Sequence, residues 1–337
     1  MGDGARITPS PVWRETFMKA AILSAILCIL LCGSSAAAPQ RVIDVHMHSY
    51  PKDGPWPPIP LTELMPKAQA SKQYAGILAP TSFEEHQRRT LVQMHEYHVV
   101  LGLIADASNE HDLELAEAWR RSSNPVIRPG LSKGQLVRGE DVAALEKLFR
   151  NGTFFQLGEL GLEYSGLTAD DPRFESYFAM AERLDIPVCI HTGLGPPRTA
   201  NRDPSASNFR VRYGSPIYVE DALVKHPELR LWLMHGGWPF MDDTIAILNQ
   251  YPEVYVDLAV LPWVLPQAEF YDWLHTMIDA GFADRIMFGS DQMRWPETIG
   301  ISIERVEEVP FLTREQKDAI FFGNAIRFFR LNPADYE

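Results

Sequence analysis

The fold prediction starts from residues 41–48, RVIDVHMH, which combine a short apolar run with two alternating imidazoles. In a β-strand, side chains two residues apart share a face, so Asp44, His46 and His48 point to one side of this segment. Two histidines at the end of one strand face can bind one metal ion. An HxH triplet also occurs as two surface histidines on an edge strand, so the interpretation depends on what the later strands supply.

Beyond this segment the chain alternates short apolar runs with amphipathic stretches. Strands are predicted at residues 41–48, 99–106, 126–131, 153–160, 187–191, 229–235, 254–260 and 285–291. Helical patterns separate them, among them residues 81–98, 112–121, 141–150, 171–185 and 216–226, and a proline-rich loop spans residues 51–66. Eight strands alternating with helices are typical of a closed (β/α)₈ TIM barrel, an α/β fold, in one domain. An open doubly wound sheet is the competing fold, but no Gly-rich phosphate loop follows an early strand.

The first 37 residues have the pattern of a secretory signal peptide. Residues 20–32 form an almost uninterrupted apolar run, which follows Arg14 and Lys19 and precedes GSSAAAP. The run is shorter than the roughly 20 residues that cross a bilayer, which disfavours a transmembrane anchor. We expect cleavage after Ala36 or Ala37, export to the periplasm or the medium, and no stable membrane insertion of the mature domain, residues 38–337.

Composition and charge limit the classes of molecule that this protein is expected to bind. A formal net charge of −13 and the lack of a Lys/Arg cluster argue against nucleic acid or an anionic membrane as a partner. Cys189 is the one cysteine after the signal segment, so no intramolecular disulfide is expected. The remaining partner is a small-molecule substrate, and the sequence leaves a homo-oligomer open.

Polar residues that end the apolar runs are the site candidates, because active sites of these barrels lie at the carboxyl ends of the strands. The candidates share that position: His46 and His48 on the first strand, Glu159 on the fourth, His191 on the fifth, His235 on the sixth and Asp291 on the eighth. Each residue taken alone is more often a capping or solvent-facing residue than a site residue. Together, at corresponding positions of one barrel, they indicate a common site.

This set of side chains predicts metal-assisted hydrolysis. Imidazoles and carboxylates are the ligands that Zn²⁺ prefers, and a catalytic zinc site leaves one position open for a water whose pKa falls to about 7. Asp291 is then a ligand and the proton acceptor, while His235 either binds metal or polarises the scissile carbonyl. Asp44 either orients ligands from behind or fills a polar layer inside the barrel.

The ordered pieces DVHMH, IHTG, MHGGWPF followed by VYVDLAV, MFGSD and GNAIRFFRL resemble the amidohydrolase superfamily, specifically its amidohydrolase-related (amidohydrolase 2) subfamily. The resemblance covers essentially the whole mature chain. It implies a divalent metal, usually Zn²⁺, with these ligands: His46, His48, His191 and Asp291. It also implies that His235 binds a second metal or acts as an activating group.

The fourth strand departs from the superfamily pattern. Many members carry a metal-bridging modified lysine there, whereas this chain has GELGLEY, which is similar to the TatD-type hydrolases that use a glutamate. Glu159 is therefore expected to bind or bridge metals, with Glu163 as a weaker candidate, and the site holds one ion or two.

Substrate contacts are expected from the loops that follow the strands. The candidates are Arg198, Tyr213, Trp238, Arg294 and Trp295. An arginine there would bind a carboxylate or phosphate through its planar fork, and a tryptophan would stack on a ring. Loop arginines are more often solvated or paired with acidic residues.

The main functional prediction is a hydrolase that cleaves an amide, lactone or ester-type bond of a small molecule. The alternative is a metal-dependent decarboxylase of a small aromatic or unsaturated carboxylic acid, because such enzymes share the subfamily pattern. A catalytically silent binding protein is disfavoured because no expected ligand position is empty.

Overall fold

The computed structural model describes residues 40–50, 54–63, 74, 76–106, 112–123 and 127–336. The predicted signal peptide, residues 1–37, lies outside these residues and stays a prediction. Among the helices of the described residues, none is long and apolar enough to cross a membrane.

Eight strands follow one another around a single sheet in chain order. They are β1 Val42–His48, β2 Val99–Asp106, β3 Ile127–Leu131, β4 Gln156–Leu160, β5 Val188–Ile190, β6 Leu231–Leu233, β7 Tyr255–Asp257 and β8 Ile286–Met287. Each pairs in parallel with the next. The chain after β8 returns to β1, where Val45 N–H donates to Phe288 O at 3.0 Å and Asp291 N–H donates to His46 O at 2.8 Å. The sheet is therefore a nearly closed barrel, and the predicted α/β TIM barrel is confirmed.

Helices occupy the connections between the strands. They are α1 Phe83–Glu96, α2 Asp112–Ser123, α3 Lys133–Val137, α4 Val142–Arg150, α5 Glu175–Leu184, α6 Thr199–Arg202, α7 Glu220–Lys225, α8 Met241–Gln250, α9 Leu261–Val264, α10 Gln267–Asp279, α11 Thr298–Glu307, α12 Arg314–Asp318 and α13 Asn324–Phe328. A π-helical turn, Ala319–Gly323, joins α12 to α13.

Local sequence signals set the observed helix starts. The predicted helix 81–98 begins at Phe83 because the Ser82 hydroxyl accepts a hydrogen bond from Glu85 N–H at 3.2 Å. The predicted helix 216–226 instead begins with a 3₁₀ turn, Pro216–Val219, before α7. Ser215 caps that turn, and Pro216 lacks the N–H that a longer first turn would leave without an acceptor.

Aromatic packing fills the amino-terminal end of the barrel. The Trp232 ring lies 5.5 Å from that of Phe328 and 5.3 Å from that of Phe329. Phe328 also contacts Tyr255, at the start of β7, and Phe329 contacts Phe155, directly before β4. The polar residues that follow the strands lie at the opposite, carboxyl-terminal end of the barrel, because all eight strands run in parallel.

Candidate metal centre

Glu159 lies between two pairs of histidines. Its Oε2 atom is 3.5 Å from His46 Nε2 and 3.3 Å from His48 Nε2. Its Oε1 atom is 3.9 Å from His191 Nε2 and 3.8 Å from His235 Nε2. Each oxygen of this one carboxylate therefore faces a different pair of imidazoles.

Asp291 adds a second carboxylate to the same group. Its Oδ1 atom is 3.0 Å from His48 Nε2 and 3.9 Å from His46 Nε2, while Oδ2 is 3.9 Å from His235 Nδ1. Three overlapping sets have ligand atoms within 4.8 Å of one another: His46, His235 and Asp291; His46, His48 and Glu159; and Glu159, His191 and His235. The structure thus brings together all six side chains that the sequence predicted as ligands.

The far sides of three imidazoles are held by acceptors. The pairs are His46 Nδ1 with Asp257 Oδ2 at 3.2 Å, His235 Nδ1 with Ala259 O at 3.1 Å, and His191 Nδ1 with Glu163 Oε1. Carboxylate and carbonyl oxygens only accept, so Nδ1 of His46 and of His235 carries the hydrogen and donates it, while His191 Nδ1 is in close ion-pair contact with Glu163. In a neutral imidazole this leaves the Nε2 lone pair facing Glu159, which is the orientation that metal-binding histidines have.

Among the atoms that face one another inside the group, His46 Nε2 and Asp291 Oδ1 are buried and make no hydrogen bond with the described residues. With the hydrogen of His46 on Nδ1, its Nε2 is an acceptor that faces Glu159 Oε2, and buried acceptors that face one another are costly unless a cation lies between them. Burial and a donor set of imidazole nitrogens and carboxylate oxygens therefore fit a divalent metal ion.

The pKa values of the group also favour the binding of a cation. Burial lowers the pKa of His46, but the carboxylates of Asp257 and Asp291 outweigh it and hold that pKa well above its usual value. Burial raises the pKa of Glu159, but the neighbouring imidazoles of His235, His46 and His48 hold it well below its usual value. The carboxylates are therefore ionised and ready to bind a cation.

The backbone around Glu159 depends on a residue without a side chain. Gly158 has φ +133°, and a Cβ atom there would lie 2.3 Å from Cys189 Sγ and 2.5 Å from Cys189 O. The neighbouring strand can thus approach β4 closely only at a glycine. This contact fixes the position of Glu159 between the histidine pairs.

Asp44 and Glu163 contact the ligands without joining the metal-binding sets found among the described residues. Asp44 Oδ1 accepts hydrogen bonds from His46 N–H at 3.2 Å and Ser290 N–H at 2.9 Å, and burial raises the pKa of Asp44 to about 7. Asp44 therefore ties the backbone of β1 to the segment that leads to Asp291. Glu163 pairs with His191 Nδ1 instead of facing the other ligands.

The predicted substrate residues have different surroundings. Arg198 and Arg294 are exposed, and neither forms a side-chain hydrogen bond or ion pair within the described part of the chain. Tyr213 is half-buried beneath the guanidinium of Arg212, whose Nη2 donates to the Tyr213 hydroxyl at 3.0 Å.

The two predicted tryptophans differ as well. Trp238 is half-buried, and its carbonyl lies against Gly193, two residues after His191. Trp295 is 1% exposed and packs edge-on against Trp263, and its Nε1–H donates to Ile59 O at 2.9 Å. The indole of Trp295 therefore anchors the proline-rich segment, and its contacts are those of a core residue.

Three further polar residues contact the candidate ligands and were not singled out by sequence reasoning. Asp257 contacts His46 and His235. Gln292 accepts from His48 N–H at 2.8 Å and donates to His48 O at 2.7 Å. Tyr164 lies edge-on to His191, with ring centroids 5.2 Å apart. Asp257 ends a strand in VYVDLAV, and this strand-end position is the signal that could have identified it.

A TIM barrel whose strand ends carry an imidazole and carboxylate group that fits a divalent metal defines a class of barrel enzymes. Within it, the chain belongs to the amidohydrolase family, whose model matches residues 43–331. The predicted family is thereby confirmed, and membership supports an enzyme.

Individual relatives are distant. The curated protein fluG of Emericella nidulans is 22% identical over 162 residues, which is 43% of this chain and 18% of that protein's length. A dihydroxybenzoic acid decarboxylase from Polaromonas, solved with manganese and the inhibitor 2-nitroresorcinol, is similar in fold at TM-score 0.57 and 14% identity, over 88% of this chain and 99% of its own. A probable 2-pyrone-4,6-dicarboxylic acid hydrolase from Acinetobacter baumannii has TM-score 0.56 and 12% identity, over 86% of this chain and 100% of its own.

Proposed function

We propose that this protein is a metal-dependent hydrolase that activates water to cleave an amide, lactone or ester-type bond of a small molecule. The observation that carries the proposal is the position of Glu159, whose two oxygens face two separate histidine pairs. A carboxylate in that position is suited to bridge two ions, an arrangement used for hydrolytic displacement.

The ligands divide naturally between two ions. His46 and His48 would hold one ion, His191 and His235 would hold the other, and Glu159 would bridge them. The nitrogen-rich donor set favours Zn²⁺. When bound, the metal supplies Lewis acidity and makes water a nucleophile at neutral pH.

Asp291 is the proposed proton acceptor. Although burial raises its pKa, the charges of His46 and His48 hold the pKa of this carboxyl below its usual value, so it is ionised at neutral pH. Its two oxygens face different histidines, which places it beside both halves of the site. It is therefore positioned to take a proton from the attacking water and to return it to the leaving group.

Metal content tests the two-ion arrangement. We expect two Zn²⁺ per chain in the purified, zinc-reconstituted protein and fewer than two in Glu159→Gln, measured by elemental analysis. Glu175→Gln is the matched control, because Glu175 also faces a histidine, His226 Nε2 at 3.3 Å, but lies outside the site. A wild-type chain that retains no divalent metal would overturn the proposal.

Product analysis tests the bond that is cleaved. Proteins similar in fold include both a hydrolase and a decarboxylase by name, and decarboxylation was the alternative predicted from the sequence. A panel of lactones, esters, amides and carboxylated aromatic acids should give hydrolysis products from the first three classes. Release of carbon dioxide from a carboxylated ring, without hydrolysis of the others, would replace hydrolysis by decarboxylation.

A further inference from the structure

We propose that Asp257 is a positioning residue of the metal centre, and that it fixes the tautomer in which His46 binds metal. The inference rests on the proposed function, because it takes metal binding by His46 as given. Asp257 is completely buried at the end of β7, beneath the ligand group.

Every hydrogen-bond partner of Asp257 is a donor. Oδ2 accepts from His46 Nδ1–H and from Trp232 Nε1–H, both at 3.2 Å. Oδ1 accepts from His235 N–H at 2.8 Å and from Ala259 N–H at 3.1 Å. A carboxylate, which only accepts, is therefore the group that suits this position.

Three of these four donors cannot become hydrogen-bond acceptors. Two are backbone N–H groups, and the indole of Trp232 only donates. The imidazole of His46 can exchange its hydrogen between Nδ1 and Nε2. Asp257 therefore holds the hydrogen on Nδ1 and leaves the Nε2 lone pair pointing towards Glu159, 3.5 Å away.

The same carboxylate also sets the backbone of a second ligand. His235 has the left-handed conformation φ +58°, and its N–H is satisfied by Asp257 Oδ1. One buried side chain thus connects ligands from the first and sixth strands.

Asp257→Asn separates these two roles. The amide oxygen can still accept from the two backbone N–H groups, which preserves the His235 turn. The amide NH₂ then faces Trp232 Nε1–H, which loses its acceptor, and His46 Nδ1, which must become the acceptor, so the hydrogen of His46 moves to Nε2 and the ligand lone pair is lost. We expect Zn²⁺ affinity, measured by chelator competition, to fall about 10- to 100-fold.

Asp279→Asn is the matched control. Asp279 Oδ2 also faces a histidine Nδ1, that of His275 at 3.1 Å, but this pair is exposed on α10. We expect its Zn²⁺ affinity to equal that of the wild type.

A double-mutant cycle distinguishes ligand positioning from a general structural effect. In a His46→Gln background the tautomer of residue 46 no longer exists, so Asp257→Asn should cause no further loss of Zn²⁺ affinity. An equal loss in both backgrounds, or unchanged affinity in the single variant, would overturn the inference. A wild-type chain that binds no Zn²⁺ would overturn the proposed function and this inference with it.

A second measurement keeps Asp257 unchanged, so it tests the inference even if the Asp257→Asn variant does not fold. Long-range proton–nitrogen spectra of the zinc-loaded, ¹⁵N-histidine-labelled protein report which ring nitrogen carries the hydrogen. The signal that disappears in His46→Gln should show a protonated Nδ1, and an unprotonated Nδ1 would refute the proposal.

Discussion

His86 should make the folded protein lose stability in mild acid. Its imidazole is fully buried on α1, stacks on Tyr50 with ring centroids 5.0 Å apart, and has Nε2 2.9 Å from Met293 O. Its Nδ1 atom makes no hydrogen bond with the described residues. Burial, despite the opposing hydrogen bond to Met293, lowers the pKa of His86 from 6.5 to about 3.

Acid lowers the stability because the pKa of His86 is lower in the folded chain than in the unfolded chain. In the unfolded chain the imidazole binds a proton below pH 6.5, whereas in the folded chain it stays neutral down to about pH 3. The contribution of His86 to stability is therefore complete above pH 6.5 and is lost as the pH falls towards 3. The loss is about 1.4 kcal/mol per pH unit, so roughly 2.7 kcal/mol is gone two units below 6.5.

Urea denaturation of the wild type and His86→Gln at a series of pH values measures this loss. Excess chelator in every sample removes any contribution from metal release. As the pH falls, the free energy of unfolding of the wild type should decrease more steeply than that of the variant. The difference between the two slopes should be about 1.4 kcal/mol per pH unit. His95→Gln, an exposed histidine on the same helix, should keep the wild-type slope. Parallel curves for wild type and His86→Gln would contradict a lowered pKa of His86 in the folded protein.

Three other changes have definite expected outcomes. Gly158→Ala should lower the free energy of unfolding in urea by about 2–5 kcal/mol and should weaken metal binding, because its methyl group would meet Cys189 Sγ and O; an unchanged midpoint would contradict the close approach. Thr313→Ala should cost about 1 kcal/mol in the same assay, because Thr313 and Gln316 form a capping box at α12, and Thr313→Ser should restore most of it. Removing metal with a chelator should cost about 2.7 kcal/mol in thermal unfolding when free Zn²⁺ had been 100-fold above its dissociation constant; an unaltered melting temperature would argue against binding to the folded state.

The number and order of strands could be predicted from the sequence because each barrel strand is a buried apolar run. Strand ends could not, because they depend on contacts between distant segments. The predicted strand 285–291 is observed as only Ile286–Met287. Beyond it, Ser290 N–H donates to Asp44 and Asp291 adopts φ +48°, so this segment bends to close the barrel on β1 and leaves the regular sheet.

The six candidate ligands could be identified because the fold places the carboxyl ends of all strands together. The different surroundings of residues that are adjacent in the chain could not be predicted from the sequence. Arg294 and Trp295 are adjacent in the chain and were given the same expected role, yet Arg294 is exposed while Trp295 is packed against Trp263. A loop conformation decides which of two consecutive side chains enters the core, and no periodicity in the sequence encodes it.

The groups behind the imidazoles suggest how the ligands divide their work. His46 donates Nδ1–H to the carboxylate of Asp257, and His191 Nδ1 is in ion-pair contact with the carboxylate of Glu163. The corresponding acceptor for His235 is a neutral carbonyl, Ala259 O. A charged acceptor strengthens an imidazole as a metal ligand more than a neutral one does. In the proposed metal centre we therefore expect His46 and His191 to be the stronger metal ligands, and His235 to be the histidine that can exchange metal binding for contact with a substrate carbonyl.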